Sequence, residues 1–253
     1  MSLAMGQVWH RDSRMSVTEP RLSHREKGLL MEFKVHSHRH ALEILEGVEE
    51  YDRLWTEVKD VLAAVSDEKI SDHFRRNYEG QPTKSLSRSI NSLLKQEFVE
   101  RDWMAESYIF GESAYGDHTW RLDFAKKVEL TDLDVSNDSK KVDSGISIEV
   151  AFNHGGSIAW NLLKPVIASE INHVPKKIQT GVGLVICATE SLKRAGGFDS
   201  AIGTYDQFIS NLLPLRNILT VPVLIVGLEA PKTFRMLVEK RGNQNFGSIV
   251  NLR

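Results

Sequence analysis

Two continuous apolar runs, Val182–Ala188 and Val221–Leu228, each follow a segment with helical spacing, and this alternation most limits what the chain can fold into. The preceding helical segments are Ser157–Val174, opening after Gly155-Gly156 with Pro165 as a kink, and Thr204–Leu213. A third strand is Gly145–Phe152, where Ile146, Ile148, Val150 and Phe152 face one way and Ser147, Glu149 and Ala151 the other. Helix, strand, helix, strand in this order predicts an α/β fold, a central mixed β-sheet flanked by helices.

The N-terminal part is helical in pattern. A short strand at Met31–Val35 leads into Ala41–Leu45 and Tyr51–Val65, where Leu54, Val58, Val61, Leu62 and Val65 repeat at helical spacing. Lys84–Trp103 repeats the pattern with Leu86, Ile90, Leu93, Leu94 and Phe98, after a break at Gln81-Pro82-Thr83. Trp120–Phe124 reads as a strand. The polar stretch Glu129–Asp143 reads as an exposed excursion or an extended hairpin. Residues 1–30 mix Arg, Ser and His with acids and lack the apolar centre of a signal peptide, so they read as a disordered leader or a vector-derived segment. The expected organisation is one domain over 31–253: a helical half (31–110), a core (111–230) and a C-terminal tail (231–253).

The 253 residues are 41% hydrophobic and 26% charged, the balance of a soluble globular protein. No apolar run approaches the roughly 20 residues of a membrane helix. The single cysteine, Cys187, excludes an internal disulfide framework and a multi-cysteine zinc site. Its apolar surroundings predict a reduced core thiol in a cytoplasmic protein. A net charge of -2 gives no general affinity for polyanions but leaves room for a local basic face.

Asp123 and Glu149 lie on predicted strands among apolar residues. A carboxylate on a core strand is costly unless it is paired or holds a cation. Two such oxygen ligands on adjacent strands, completed by water and phosphate, suit Mg²⁺ and in-line phosphoryl displacement. The alternative is a solvated strand face. His36, His38 and His40 would project to one side of an extended strand and could take zinc, but the strand should end there, and Ser37 can instead cap the helix from Ala41. Lys84, Ser85, Ser87 and Arg88 form a basic, hydroxyl-rich helix start of the kind that meets phosphates; its ordinary alternative is a capped, solvated helix. Lys176, Lys177, Arg235, Lys240 and Arg241 are further basic positions. Gly196, Gly197 and Gly203 form no phosphate loop, and no nucleophile elbow occurs.

Around these acids the chain resembles the BglII/BstYI-type restriction endonucleases, relatives of BamHI in the PD-(D/E)XK nuclease superfamily. The resemblance runs from about Val35 to Leu228. It is carried by His36–Leu45, by Leu54-Trp55-Thr56-Glu57-Val58, and by Ser87–Asn91 with Trp103. Leu122-Asp123-Phe124-Ala125-Lys126, the strand Gly145–Phe152 and the closing run Val221–Leu228 complete it. It implies a restriction-endonuclease-like core and a homodimer that cuts double-stranded DNA at a short palindrome with Mg²⁺, leaving 5′-phosphate and 3′-hydroxyl ends. It also implies a cognate DNA methyltransferase in the same host.

Carried onto this sequence, Asp123, Glu149 and the carbonyl of Val150 become metal ligands. The expected DNA contacts are Lys84, Ser85, Ser87, Arg88, Asn91, Asn153 and His154. Two departures stand out. The acids are further apart in sequence than in the relatives, which the Glu129–Asp143 stretch explains as an insertion of small entropic cost. Asp143 is the rival first acid. Second, Ala151 stands where the superfamily has Lys and closer relatives Gln or Glu. Glu170, on the next helix, is the expected compensating residue. Two further readings compete: a DNA-binding protein of the same fold that does not cut, and an adaptor domain whose acids are merely solvated.

Overall fold

The computed structural model describes residues 30–111, 120–133, 139–170 and 175–252. The leader expected at 1–30 lies outside the described residues except for Leu30.

Six strands form one mixed sheet: β1 (Phe33–His38), β2 (Met104–Tyr108), β3 (Arg121–Leu133), β4 (Ser139–Ala151), β5 (Val182–Ala188) and β6 (Val223–Leu228). Their order is β1-β6-β5-β4-β3-β2. The β4–β5 and β5–β6 pairs are parallel, and the other three are antiparallel. The α/β class and the mixed sheet follow the sequence expectation. β5 falls where its apolar run places it.

Helices cover both faces. On one side lie α1 (Ala41–Gly47), α2 (Glu49–Ala64), α3 (Asp67–Asn77) and α4 (Ser87–Val99). Their apolar residues, such as Leu54, Val58, Ile90 and Phe98, join Ile148, Leu184, Ile186, Leu224 and Val226 of the sheet. On the other side lie α5 (Ile158–Glu170), after a 3₁₀ turn at Gly155–Ser157, and α7 (Tyr205–Leu215). Ile158, Leu162, Phe208 and Leu212 pack there on Ala151, Val185, Cys187, Val223 and Ile225. Alternate residues of β5 and β6 thus serve opposite layers, so both runs are apolar throughout. The short α6 (Glu190–Ala195) is capped by Thr189, which accepts from the Leu192 N–H.

Cys187 is fully buried, and burial pushes its thiol far above the usual range. Left-handed conformations at Arg39 and His40 turn the chain from β1 into α1. Ser37 Oγ accepts from the Leu42 N–H in the first turn of α1, while the N-cap position itself is His40. His38 Nε2 lies 3.2 Å from the Leu219 carbonyl. No cluster of three His, Cys, Asp or Glu able to hold a metal occurs among the described residues, the three histidines included.

The Glu129–Asp143 excursion is an extension of the β3–β4 hairpin, paired out to Leu133 and Ser139. Residues 234–251 form a second hairpin, β7 (Phe234–Arg241) with β8 (Gln244–Asn251). It turns at Gly242, whose φ of 61° suits a tight two-residue turn. Asp67 anchors it to α3 by accepting the Lys232 N–H, the Thr233 N–H and the Thr233 hydroxyl.

Candidate active site

Phe124 pairs with Ile148 in the β3–β4 ladder, which sets Asp123 opposite Glu149 and on the same face of the sheet. At this point a side chain replaces the backbone rung. The Val150 N–H donates to Asp123 Oδ2 at 2.6 Å. Only 2% of Glu149 is exposed, because α5 covers its face of β4. The solvated-face alternative is therefore excluded for Glu149.

Both acids are hard to ionise. Burial, and then the charge of Asp123, push the Glu149 carboxyl up to about 8. Burial likewise raises Asp123, against the Val150 hydrogen bond and the Lys164 charge. Lys164 on α5 donates to Glu149 Oε2 at 2.6 Å. Glu149 Oε1 is buried and has no partner. An orphaned carboxylate oxygen beside a second raised carboxylate is a donor set that a hard divalent cation fits. With two carboxylates, the remaining ligands would be backbone carbonyl, water and phosphate oxygen.

Asp123, Phe124 and Val150 line a cavity of about 130 Å³ together with Asn91 and Lys95 of α4 and Glu106 of β2. Ser87, Asn91 and Lys95 are spaced four apart, so they share one face of α4. That face continues into a second groove lined by Lys84, Ser85, Ser87, His154 and Asp199. Lys84 pairs with Asp199 at 3.0 Å. Five of the seven expected DNA contacts thus line one of two cavities along α4: Lys84, Ser85, Ser87, Asn91 and His154. Arg88 is exposed at the start of the same helix. Asn153 is exposed just past β4 and accepts from the Asn161 side chain.

The description "Restriction endonuclease BglII/BglIII" belongs to the family model that matches residues 33–228. The chain belongs to the BglII/BglIII restriction endonuclease family. That family is one of nucleases that bind DNA. A crystal structure of restriction endonuclease BglII complexed with a DNA 16-mer shares 15% identity, with TM-score 0.55, over 88% of this chain and 100% of that one. At that identity the likeness shows the fold. Free BglII aligns at 14% identity and TM-score 0.40, over 88% of this chain and 100% of that one. A comparison with curated proteins gives no match.

In this BglII-family chain two sequence expectations, for Asp143 and Glu170, land elsewhere. Asp143 is exposed on the outer hairpin, opposite Glu129, so Asp123 is the acid that meets Glu149. Lys126 turns to the other face, where it donates to Glu57 at 2.7 Å. Glu170 is exposed at the last position of α5, with its charge acting on Lys176. It lies about 9 Å beyond Lys164 along the helix and on another side of it. Lys176 donates to the Ala168 and Ser169 carbonyls at the end of α5. Arg235, Lys240 and Arg241 are exposed on the β7–β8 hairpin.

Sequence reading missed Lys164. It lies in a predicted helix, and only the direction in which that helix crosses β4 brings it to Glu149. It missed Lys95 and Glu106 of the cavity as well. Asn91 and Lys95 share a helix face by spacing alone, so that signal was present.

Proposed function

We propose that this chain is a type II restriction endonuclease that, as a homodimer, makes Mg²⁺-dependent double-strand cuts at a short palindromic DNA site. The products carry 5′-phosphate and 3′-hydroxyl ends. The observation that carries the reading is the pairing of Asp123 with Glu149 across β3 and β4, with the buried Glu149 Oε1 left without a partner. A divalent cation bound there would supply charge stabilisation of the phosphoryl oxygens and a more acidic water.

The chain's own residues do the rest. Asp123, Glu149 and the Val150 carbonyl would hold the cation. Asp123 also fixes the β4 backbone through the Val150 N–H. Ser87, Asn91 and Lys95 on α4, with Lys84, Ser85, Arg88, Asn153 and His154 nearby, seat the DNA backbone along the helix. Such contacts set register, and sequence is read at base edges in the major groove. A palindromic target calls for a two-fold protein. A matching DNA methyltransferase protects the host's own sites, and the enzyme works in the cytoplasm beside that DNA.

Ala151 favours one second reading, a DNA-binding protein of the same fold that does not cut. Cleavage and gel-shift assays on Asp123→Ala and Glu149→Ala separate the two. Loss of cleavage with DNA binding retained in Ca²⁺ supports the nuclease. Cleavage equal to that of the unaltered chain in either variant contradicts it.

A further inference from the structure

Ala151 leaves a chemical gap on β4. Its side chain is 1% exposed and packs with Ile158 and Leu162 of α5, and a methyl group offers neither charge nor hydrogen bond. The charge beside Glu149 arrives from a different backbone element. Lys164 sits midway along α5 with its Nζ 2.6 Å from Glu149 Oε2 and its side chain 13% exposed.

A lysine this buried needs a partner, and an apolar pair of similar size would cost less desolvation. The helix that carries it is seated closely. A Cβ on Gly183 of β5 would stand 2.4 Å from the Cβ of Pro165, the residue after Lys164. Glycine there lets α5 approach the sheet at that turn and sets Lys164 over β4. The ammonium has three donors, and Glu149 accepts one.

We infer that Lys164 is the positioning residue of this site, doing from α5 what the side chain at 151 cannot. It holds the Glu149 carboxylate in place beside Asp123. The inference rests on the nuclease reading, and it moves the compensating role from Glu170 to Lys164.

The test uses the full chain with Lys164→Gln and Lys164→Arg, each checked for native folding by circular dichroism. Two readouts are taken: single-turnover cleavage of DNA at saturating Mg²⁺, and Ca²⁺ binding without DNA by calorimetry. Lys164→Gln is expected to slow cleavage by about 100-fold, the usual effect of letting a reacting group shift out of place. It is also expected to bind Ca²⁺ more tightly, because no ammonium competes for Glu149 Oε2. Lys164→Arg keeps the charge and recovers part of the rate.

A purely structural lysine would leave the cleavage rate of the folded variant unchanged. As a control, Lys126→Gln removes the ion pair with Glu57 on the opposite face and leaves Ca²⁺ affinity unchanged. Cleavage by folded Lys164→Gln within about threefold of the unaltered chain, or unchanged Ca²⁺ affinity, overturns the assignment. If the unaltered chain cuts no DNA at all, the nuclease reading fails, and the Ca²⁺ titration alone then decides whether Lys164 governs Glu149.

Discussion

Lys164 of α5 donates to Glu149 of β4 at 2.6 Å, and the Glu149 side chain is 2% exposed. Losing Glu149 would leave the buried Lys164 ammonium uncompensated. Here the carboxylate also faces a second acid, Asp123. Three ionisable groups from three elements therefore share one small volume, and their energetics shape what the chain does with pH, cations and DNA.

Stability without divalent ions should fall as pH rises. The folded Glu149 titrates at about 8 against an ordinary 4.5, and Asp123 shifts the same way. Between those values the folded chain holds a proton that the unfolded chain has released, so raising pH favours unfolding, by up to about 1.4 kcal/mol per unit for each fully shifted group. Thermal unfolding in EDTA should show a melting temperature lower near pH 8 than near pH 5. Ca²⁺ or Glu149→Gln should flatten that trend. An unaltered slope in Glu149→Gln would show that Glu149 is ionised as readily in the folded chain as in the unfolded one.

Lys84 and Lys95 should act on affinity and not on sequence choice. Lys95 lines the acid cavity, and Lys84 lines the groove next along α4. Their pairs with Asp199 and Glu106 are solvent-accessible and cost little to break. Lys84→Ala or Lys95→Ala should weaken binding alike on all DNA sequences, and each should reduce the slope of log K against log salt by about 1. A change in site preference with an unchanged salt slope would place that lysine at a base edge.

Gly183→Ala should disturb the site from behind. The added Cβ would meet Pro165 Cβ at 2.4 Å and Cγ at 2.8 Å. Overpacking of this kind costs about 1–3 kcal/mol and pushes α5 outward. The expected result is a lower urea midpoint together with slower cleavage by the fraction that stays folded, because Lys164 moves with Pro165. Normal cleavage by that fraction would mean that α5 tolerates the shift.

How much of this was legible before the structure depends on the residue. Asp123 and Glu149 could be singled out because each is a charge among apolar neighbours on a strand. Their pairing follows from hairpin geometry once Glu129–Asp143 extends the strands. The fully apolar β5 and β6 also declare themselves, since each is buried on both faces. Polar elements do not. Helix α3 is rich in charge and buries only Asp67, Ile70, Ser71 and Phe74, so its apolar stripe is too thin to read. The β7–β8 hairpin buries only Phe234, Met236 and Gly247. Lys164 was illegible for another reason. Its role depends on how α5 crosses the sheet, and no local pattern encodes that crossing.

Asp67 should matter more than a surface-helix acid. It is 2% exposed, and its Oδ2 accepts three donors from Lys232 and Thr233. Asp67→Ala should cost about 3 kcal/mol, since three part-buried donors lose a charged acceptor. Limited proteolysis should then cut first within residues 231–252. Unchanged urea stability would show that the hairpin is held by Phe234 and Met236 alone.

The most direct test of the whole account is digestion of phage DNA of known sequence by the purified chain, with Mg²⁺ and with EDTA, resolved on a gel. Discrete fragments in Mg²⁺ and intact DNA in EDTA are expected, with every fragment end falling at one short palindrome. DNA left intact across a range of divalent ions and salt concentrations, or cut equally well in EDTA, would contradict it.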